Sequence, residues 1–317
     1  MSLRMEAGSL RSRLLNRFLR RVVKPRSLHR PDIAASRALV DSYVLPARLF
    51  RVRAETAQAG SIPGEWVRGR STDSGTLLYL HGGAFVLCSS ATHRPVTSAF
   101  ARRGFGVFAP DYRLAPEHPY PAALEDCHAA YRGLLADGVD PARLVLAGES
   151  AGGGLVLSLL LRLRDEGLPL PAAAAVFSPW SDLSLSGESL VANDALDAMF
   201  HAAQAPWLAA QYVGAADPRD PYLSPVFGDY AGLPPLLVQV GQHELILDDA
   251  RRVAARAEAA GVPVALSVWR DVPHGWQLFF LLPEAKRAIE ETDRFFRDAI
   301  RDGEARRSDE RSRFAAS

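Results

Sequence analysis

Leu144–Val145–Leu146–Ala147–Gly148–Glu149–Ser150–Ala151–Gly152–Gly153 decides the fold. An apolar, strand-like run leads into G-x-S-x-G, and a helix-period segment, Gly152–Glu166, follows it. A serine on so sharp a strand-to-helix turn projects its hydroxyl above a sheet. The turn leaves little room for side chains, so glycine flanks it at 148 and 152. The helix that starts there points its N-terminus at the site, where developing negative charge is stabilised. Ser150 is therefore the candidate nucleophile.

Outward from this turn the same rhythm repeats. Thr76–His81, Gly106–Pro110, Arg143–Gly148, Ala173–Ser178, Leu236–Gly241 and Ala265–Trp269 read as short buried strands. Between them His93–Arg103, Pro121–Leu135, Gly152–Glu166, Asp248–Ala260 and Glu284–Ile300 have helical periodicity. Such alternation predicts an α/β fold, a mostly parallel central sheet flanked by helices on both faces. Functional loops then gather at the carboxyl ends of the strands. Residues 182–225 break the rhythm and read as an insertion of helices and loops above the sheet.

Those loops supply candidate partners for Ser150. His81–Gly82–Gly83–Ala84 follows the strand Thr76–Leu80 directly. A glycine-rich loop can aim backbone N–H groups at an oxyanion, so Gly82, Gly83 and, from the elbow, Ala151 are the expected donors. A weakly acidic hydroxyl needs a base. His274 lies just past the last strand and before the final helix; His243 is the alternative, and His81 reads as a loop brace. The base in turn needs a carboxylate. Glu244, three residues past the strand end at Gly241, is favoured by position. Asp248 is the alternative, and with Asp249 it falls in the first turn of the next helix. Asp271, just before His274, reads as a solvated loop residue.

The chain has 317 residues, 48% hydrophobic and 23% charged, which fits a globular domain with a sizeable core and excludes disorder. Lys+Arg 37 against Asp+Glu 36 gives +1, so nothing global favours nucleic acid. No uncharged apolar run is long enough to suggest a membrane-spanning helix or stable membrane insertion. Two cysteines, Cys88 and Cys127, read as reduced thiols. Arginines at 4, 11, 13, 17, 20 and 21 interrupt every N-terminal apolar segment, so no secretion signal is read and a cytoplasmic location is expected. Leu10, Leu14, Phe18 and Val22 fall on one helical face, expected to pack on the protein body. Residues 301–317 read as a polar, solvated tail. No Cys/His cluster has metal-ligand spacing, and neither a metal nor a cofactor is expected.

Taken together, HGGAF (81–85), DYRLAPEHPYPA (111–122), GESAGG (148–153), SPWSDL (178–183), GLPPLLVQVG (232–241) and PHGW (273–276) resemble the bacterial hormone-sensitive-lipase-like esterases of the α/β-hydrolase superfamily. By position the resemblance implies Ser150 as nucleophile, His274 as base and Glu244 as acid, where relatives usually carry Asp. Glu149 stands where relatives often carry Asp or Thr. Asp111, Tyr112 and Arg113 are expected to brace the oxyanion loop. The resemblance also implies an α/β-hydrolase domain over 51–300, with a helical cap from residues 1–50 and the 182–225 insertion. Beyond the motifs, the first seventy residues match only as a cap-like region. Phe85, Phe200 and Trp207 are candidate pocket residues. The implied activity is hydrolysis of short- to medium-chain acyl esters, with a small-molecule ester as substrate and a homodimer as a further expectation. Two alternatives stay open. One is an amide, carbamate or lactone hydrolase of the same fold. The other is a non-catalytic ligand receptor, as in the plant gibberellin receptors, which resemble this family but lack the base.

Overall fold

Apolar runs with no polar face must be covered on both sides, and the sheet is built from such runs. The computed structural model describes residues 2–3, 8–28, 30 and 32–315, with side chains for 8–28, 30 and 32–305. Its strands are β1 (Ser2–Leu3), β2 (Arg53–Ala59), β3 (Ile62–Arg68), β4 (Gly75–Leu80), β5 (Phe105–Pro110), β6 (Leu144–Glu149), β7 (Ala173–Phe177), β8 (Leu236–Gly241) and β9 (Val264–Trp269). Every residue of β5, β6, β7 and β8 is buried. The helices are α1 (Leu10–Val22), α2 (Ile33–Asp41), α3 (Arg94–Ala101), α4 (Ala122–Ala136), α5 (Ala151–Asp165), α6 (Ser189–Ala192), α7 (Ala205–Val213), α8 (Leu247–Ala259) and α9 (Pro283–Ala315).

The described strands form one sheet in the order β1-β9-β8-β7-β6-β4-β5-β3-β2. Pairing is parallel from β5 through β4, β6, β7, β8 and β9 to β1, and antiparallel at β5–β3 and β3–β2. Alternation along each strand divides the core. Leu78, Leu80, Leu144 and Leu146 pack with α4, α5 and α8 on one face. Leu77, Tyr79, Val145 and Ala147 pack with α3 and α9 on the other. Among the described residues no helix is long and apolar enough to cross a membrane.

Three expectations need correction. The first seventy residues are not only cap-like, because β2 and β3 form a hairpin that extends the sheet edge. β2 (RAETAQA) is mostly exposed and polar and β3 has Pro63 at its second position, so neither reads as a buried strand. The polar stretch after Ile300 is helical, continuing α9 to Ala315; residues 316–317 lie outside the described residues. Finally, the apolar stripe of α1 faces solvent, with Leu10 64%, Leu14 58%, Phe18 54% and Val22 38% exposed. Polar bonds set that rotation. Ser12 Oγ and Asn16 Nδ2 donate to Asp271 O at 2.5 and 2.7 Å, and the Ser9 N–H donates to Glu284 Oε1 at 2.6 Å.

The N-terminal helices and the 182–225 segment are tied together. Lys24 Nζ donates to the carbonyls of Asp194 and Asp197, and Arg20 Nη2 to that of Leu196 at 2.7 Å. Arg37 on α2 reaches the Val86 and Ala115 carbonyls, each at 2.8 Å, on the other side.

Candidate active site

Ser150 directly follows β6 and caps α5 with φ 56° and ψ −122°, a conformation strongly disfavoured for an L-residue that costs about 1–3 kcal/mol. The surroundings over-determine it. Its N–H donates to Phe177 O at 2.9 Å, and its carbonyl accepts from Gly154 N and Trp180 N, each at 3.0 Å. The turn is as tight as its sequence implies: a Cβ on Gly152 would lie 2.1 Å from Leu80 O, and one on Gly148 2.3 Å from Gly152 O. The Ala151 N–H belongs to the first turn of α5 and carries the positive end of its dipole.

His274 and Glu244 come together from the loops after β9 and β8. His274 Nδ1 lies 2.6 Å from Glu244 Oε2, and both side chains are buried. Glu244 is held in turn, because its Oε1 accepts from Ser178 Oγ at 2.7 Å and from Gly241 N at 2.6 Å. Asp248 and Asp249 are engaged elsewhere. Asp248 Oδ2 accepts from Ser189 N, and Asp249 Oδ2 accepts from the Ser181 and Asp182 amides, all at 2.8 Å. His243 pairs with Gln242 Nε2 at 2.9 Å. Asp271 braces α1 through its carbonyl and carboxylate.

The other ring nitrogen of His274 has a partner that sequence reasoning missed. Nε2 lies 3.1 Å from Glu149 Oε1, and Glu149 Oε2 lies 3.4 Å from His93 Nε2. Glu149 thus wedges between the glycine loop and the histidine loop, where a Cβ on Gly275 would stand 2.7 Å from its Oε1. Its one sequence signal was the departure from Asp or Thr next to the serine. Burial raises the Glu149 pKa, but the bond to His274, with the nearby His93 ring, outweighs it and holds the carboxyl at about 2. Burial likewise disfavours the His274 imidazolium; the Glu244 charge and the Glu149 bond and charge outweigh it and raise its pKa well above the usual histidine range. Among the described residues the Ser150 hydroxyl makes no hydrogen bond, so the structure joins His274 to two carboxylates and not to Ser150.

The glycine loop differs from expectation at one donor. Thr92 Oγ1 donates to Ser89 O at 2.7 Å, which leaves its lone pair for His93 Nδ1–H at 2.9 Å. The His93 Nε2 lone pair then accepts from the Gly82 N–H at 3.2 Å. Gly82 is therefore already engaged. The Gly83 and Ala84 amides have no acceptor among the described residues, and Gly83, Ala84 and Phe85 all carry positive φ (112°, 54° and 63°). His81 is a brace: its Nδ1 meets Gly82 O at 2.8 Å, its ring stacks on Tyr112 at 4.1 Å, and burial and the nearby His93 push its pKa down to about 3. Tyr112 Oη donates to His81 O at 2.6 Å, and Asp111 accepts from Ser90 N at 2.7 Å, whereas Arg113 pairs with Asp126 of α4.

Of the candidate pocket residues, only Phe200 meets the site, its ring edge-on to His274 at 5.3 Å. Phe85 is instead core, stacked on Tyr212 at 3.9 Å and 4°. Trp207 is half-buried on α7, with no ring contact to His274 among the described residues.

A mostly parallel sheet whose central strand ends in a strained G-x-S-x-G turn is the architecture of the α/β hydrolases. The alpha/beta hydrolase fold family matches residues 77–278. The acetyl-hydrolase of Streptomyces hygroscopicus is 45% identical over 251 residues, 78% of this chain and 84% of that protein. The crystal structure of EstE5 superposes with a TM-score of 0.88 at 38% identity, covering 92% of this chain and 99% of that one. A crystal structure of an esterase from the bacterial hormone-sensitive lipase family gives 0.86 at 42% identity, covering 93% and 100%. The chain belongs to the α/β-hydrolase fold family and, within it, to the bacterial hormone-sensitive-lipase group.

Proposed function

We propose that the protein is a serine carboxylesterase that hydrolyses short- to medium-chain acyl esters through Ser150, His274 and Glu244. The observation that carries the reading is the buried His274–Glu244 pair, closed at 2.6 Å, with the other imidazole nitrogen 3.1 Å from the residue preceding a strained serine. Ser150 Oγ attacks the ester carbonyl carbon, and His274 Nε2 takes its proton. Glu244 fixes the tautomer with hydrogen on Nδ1 and stabilises the imidazolium. The oxyanion meets the N–H groups of Gly83, Ala84 and Ala151, with Gly82 left to its bond with His93. His274 then protonates the departing alkoxide. Water, deprotonated by the same nitrogen, cleaves the acyl-enzyme and restores Ser150.

The resting contact between His274 Nε2 and Glu149 requires the imidazole to exchange that partner for the serine hydroxyl on substrate binding, since such bonds tighten in the Michaelis complex. Phe200 fits a wall of the acyl or alcohol pocket, and residues 1–50 with 182–225 fit a cap. The name of the Streptomyces relative favours a small acyl group. Free Cys88 and Cys127 thiols fit a reducing cytoplasm.

The test is a p-nitrophenyl ester series from acetate to palmitate with wild type and Ser150→Ala. Turnover is expected to favour the acetate-to-hexanoate end and to fall at least ~10³-fold in the variant. Retained turnover in Ser150→Ala contradicts the nucleophile; faster cleavage of the long chains contradicts the substrate class.

A further inference from the structure

Helix α1 has no part in the proposed chemistry, yet it exposes both apolar side chains and basic ones that no carboxylate meets. It carries Arg11, Arg13, Arg17, Arg20 and Arg21 and no acidic residue. Among the described residues none of the five is paired with a carboxylate: Arg11 and Arg20 donate to the carbonyls of Leu281 and Leu196, which carry no charge. The first thirty residues hold nine Lys or Arg and one Glu, a net +8 in a chain whose total is +1, so the remainder carries −7. The N-terminal segment is therefore strongly basic in a chain whose remainder is acidic. That segment is also apolar. Successive helical residues turn ~100°, so the four-residue spacing of Leu10, Leu14 and Phe18 forms a stripe. The stripe is more than half exposed at each of these residues, while Ser12 and Leu19, on the far side, are buried. Exposed apolar side chains interleaved with unpaired arginines match the two layers of a lipid interface, acyl boundary and headgroup phosphate.

We propose that α1 is a docking surface for an anionic lipid bilayer, lying in the plane of the interface with Leu10, Leu14 and Phe18 in the acyl boundary and its arginines on headgroup phosphates. A 13-residue helix is too short to span, so this is peripheral binding. The helix is anchored to the loop that carries His274: Ser12 and Asn16 both bond Asp271 O, and Asn16 and Arg20 line a small cavity with Glu244 and His274. Docking would set that side of the site against the surface from which a lipophilic ester arrives. A second copy of the chain is the poorer occupant, because a two-fold contact through this stripe would bring ten arginines together with no acid from either helix.

The test is co-sedimentation of the full chain with phosphatidylcholine vesicles and with phosphatidylcholine/phosphatidylglycerol (7:3) vesicles, at low and high salt, read without turnover and so independently of the esterase reading. Wild type is expected to bind the anionic vesicles and not the neutral ones, with binding lost at high salt. Arg13→Gln/Arg17→Gln should weaken partitioning roughly 30-fold, and Leu14→Asp/Phe18→Asp should abolish it. Both variants should retain the wild-type melting temperature and, as these side chains lie outside the proposed machinery, the wild-type rate on a soluble short ester. No binding to anionic vesicles, equal binding to neutral ones, or vesicle binding untouched by both double variants overturns the proposal. So does a dimer, seen by sedimentation equilibrium, that Leu14→Asp/Phe18→Asp converts to monomer.

Discussion

Replacing Glu244 by glutamine changes almost no volume and removes one charge, and the structure says which way the amide must turn. Three donors meet the carboxylate: His274 Nδ1–H on Oε2 at 2.6 Å, and Ser178 Oγ and Gly241 N–H on Oε1 at 2.7 and 2.6 Å. Glutamine has a single acceptor oxygen. The Gly241 amide is fixed by the backbone and can only donate, so the oxygen stays with it and the NH₂ faces Nδ1. That nitrogen must then accept, and the neutral ring carries its hydrogen on Nε2, the atom required to take the serine proton. Loss of the charge-assisted bond alone is worth about 1.5–3 kcal/mol, roughly 10- to 150-fold in rate. The reversed tautomer carries the expected fall in kcat towards ~10⁴-fold. The assay is kcat on p-nitrophenyl butyrate at pH 8, with the melting temperature as a check on folding. Glu244→Asp, which keeps the charge and shortens the reach, should fall less. Asp248→Asn should stay near wild type, since Asp248 serves Ser189. A Glu244→Gln enzyme within tenfold of wild type would refute the assignment of the acid.

Glu149→Gln should move the acidic limb of the kcat/KM–pH profile to lower pH. His274 acts as base only when neutral, and Glu149 is one of two carboxylates that raise its pKa, so removing that charge lets it deprotonate at lower pH. An unmoved limb would show that Glu149 acts on geometry alone. Asp249 is pushed up to about 8, first by burial and then by Asp182, so its folded state favours the neutral carboxyl. Its contribution to stability is present at low pH and is lost as pH rises towards about 8. Asp249→Asn should flatten that part of the melting temperature–pH curve, and an unchanged slope would contradict it. Phe85→Ala should cost about 3–5 kcal/mol of unfolding free energy by denaturant titration, because the ring is fully packed against Tyr212. A cost under 1 kcal/mol would mean that Phe85 lines an accessible pocket after all.

The central strands and helices were legible because each obeys one simple rule. Leu236–Gly241 has no polar face and is buried throughout; Gly152–Glu166 follows a glycine elbow and keeps helical composition to the turn at Glu166. The β2–β3 hairpin was not legible, because an exposed edge strand such as RAETAQA buries one face at most and its register comes from its partner. The α1 stripe misled for a related reason. Periodicity reports that an apolar face exists but not which way it points, and Ser9, Ser12 and Asn16 decide that through Glu284 and Asp271. Within the site, His274 and Glu244 were found from their distance to strand ends, which chain order preserves. The engagement of Gly82 by His93 depends on the Ser89–Thr92–His93 tautomer chain, and the contact of Glu149 with two histidines depends on side chains 56 residues before it and 125 after it (274 − 149). Neither has a one-dimensional signature.

The central claim is that the hydroxyl at 150 forms a covalent acyl-enzyme. The most direct measurement treats the protein with a fluorophosphonate, follows loss of activity against incorporation, and maps the adduct by peptide mass spectrometry. One equivalent on Ser150, appearing in step with inactivation and absent from Ser150→Ala, is the predicted result. Full inactivation with the label on another residue, or an unlabelled enzyme that still turns over esters, would contradict it.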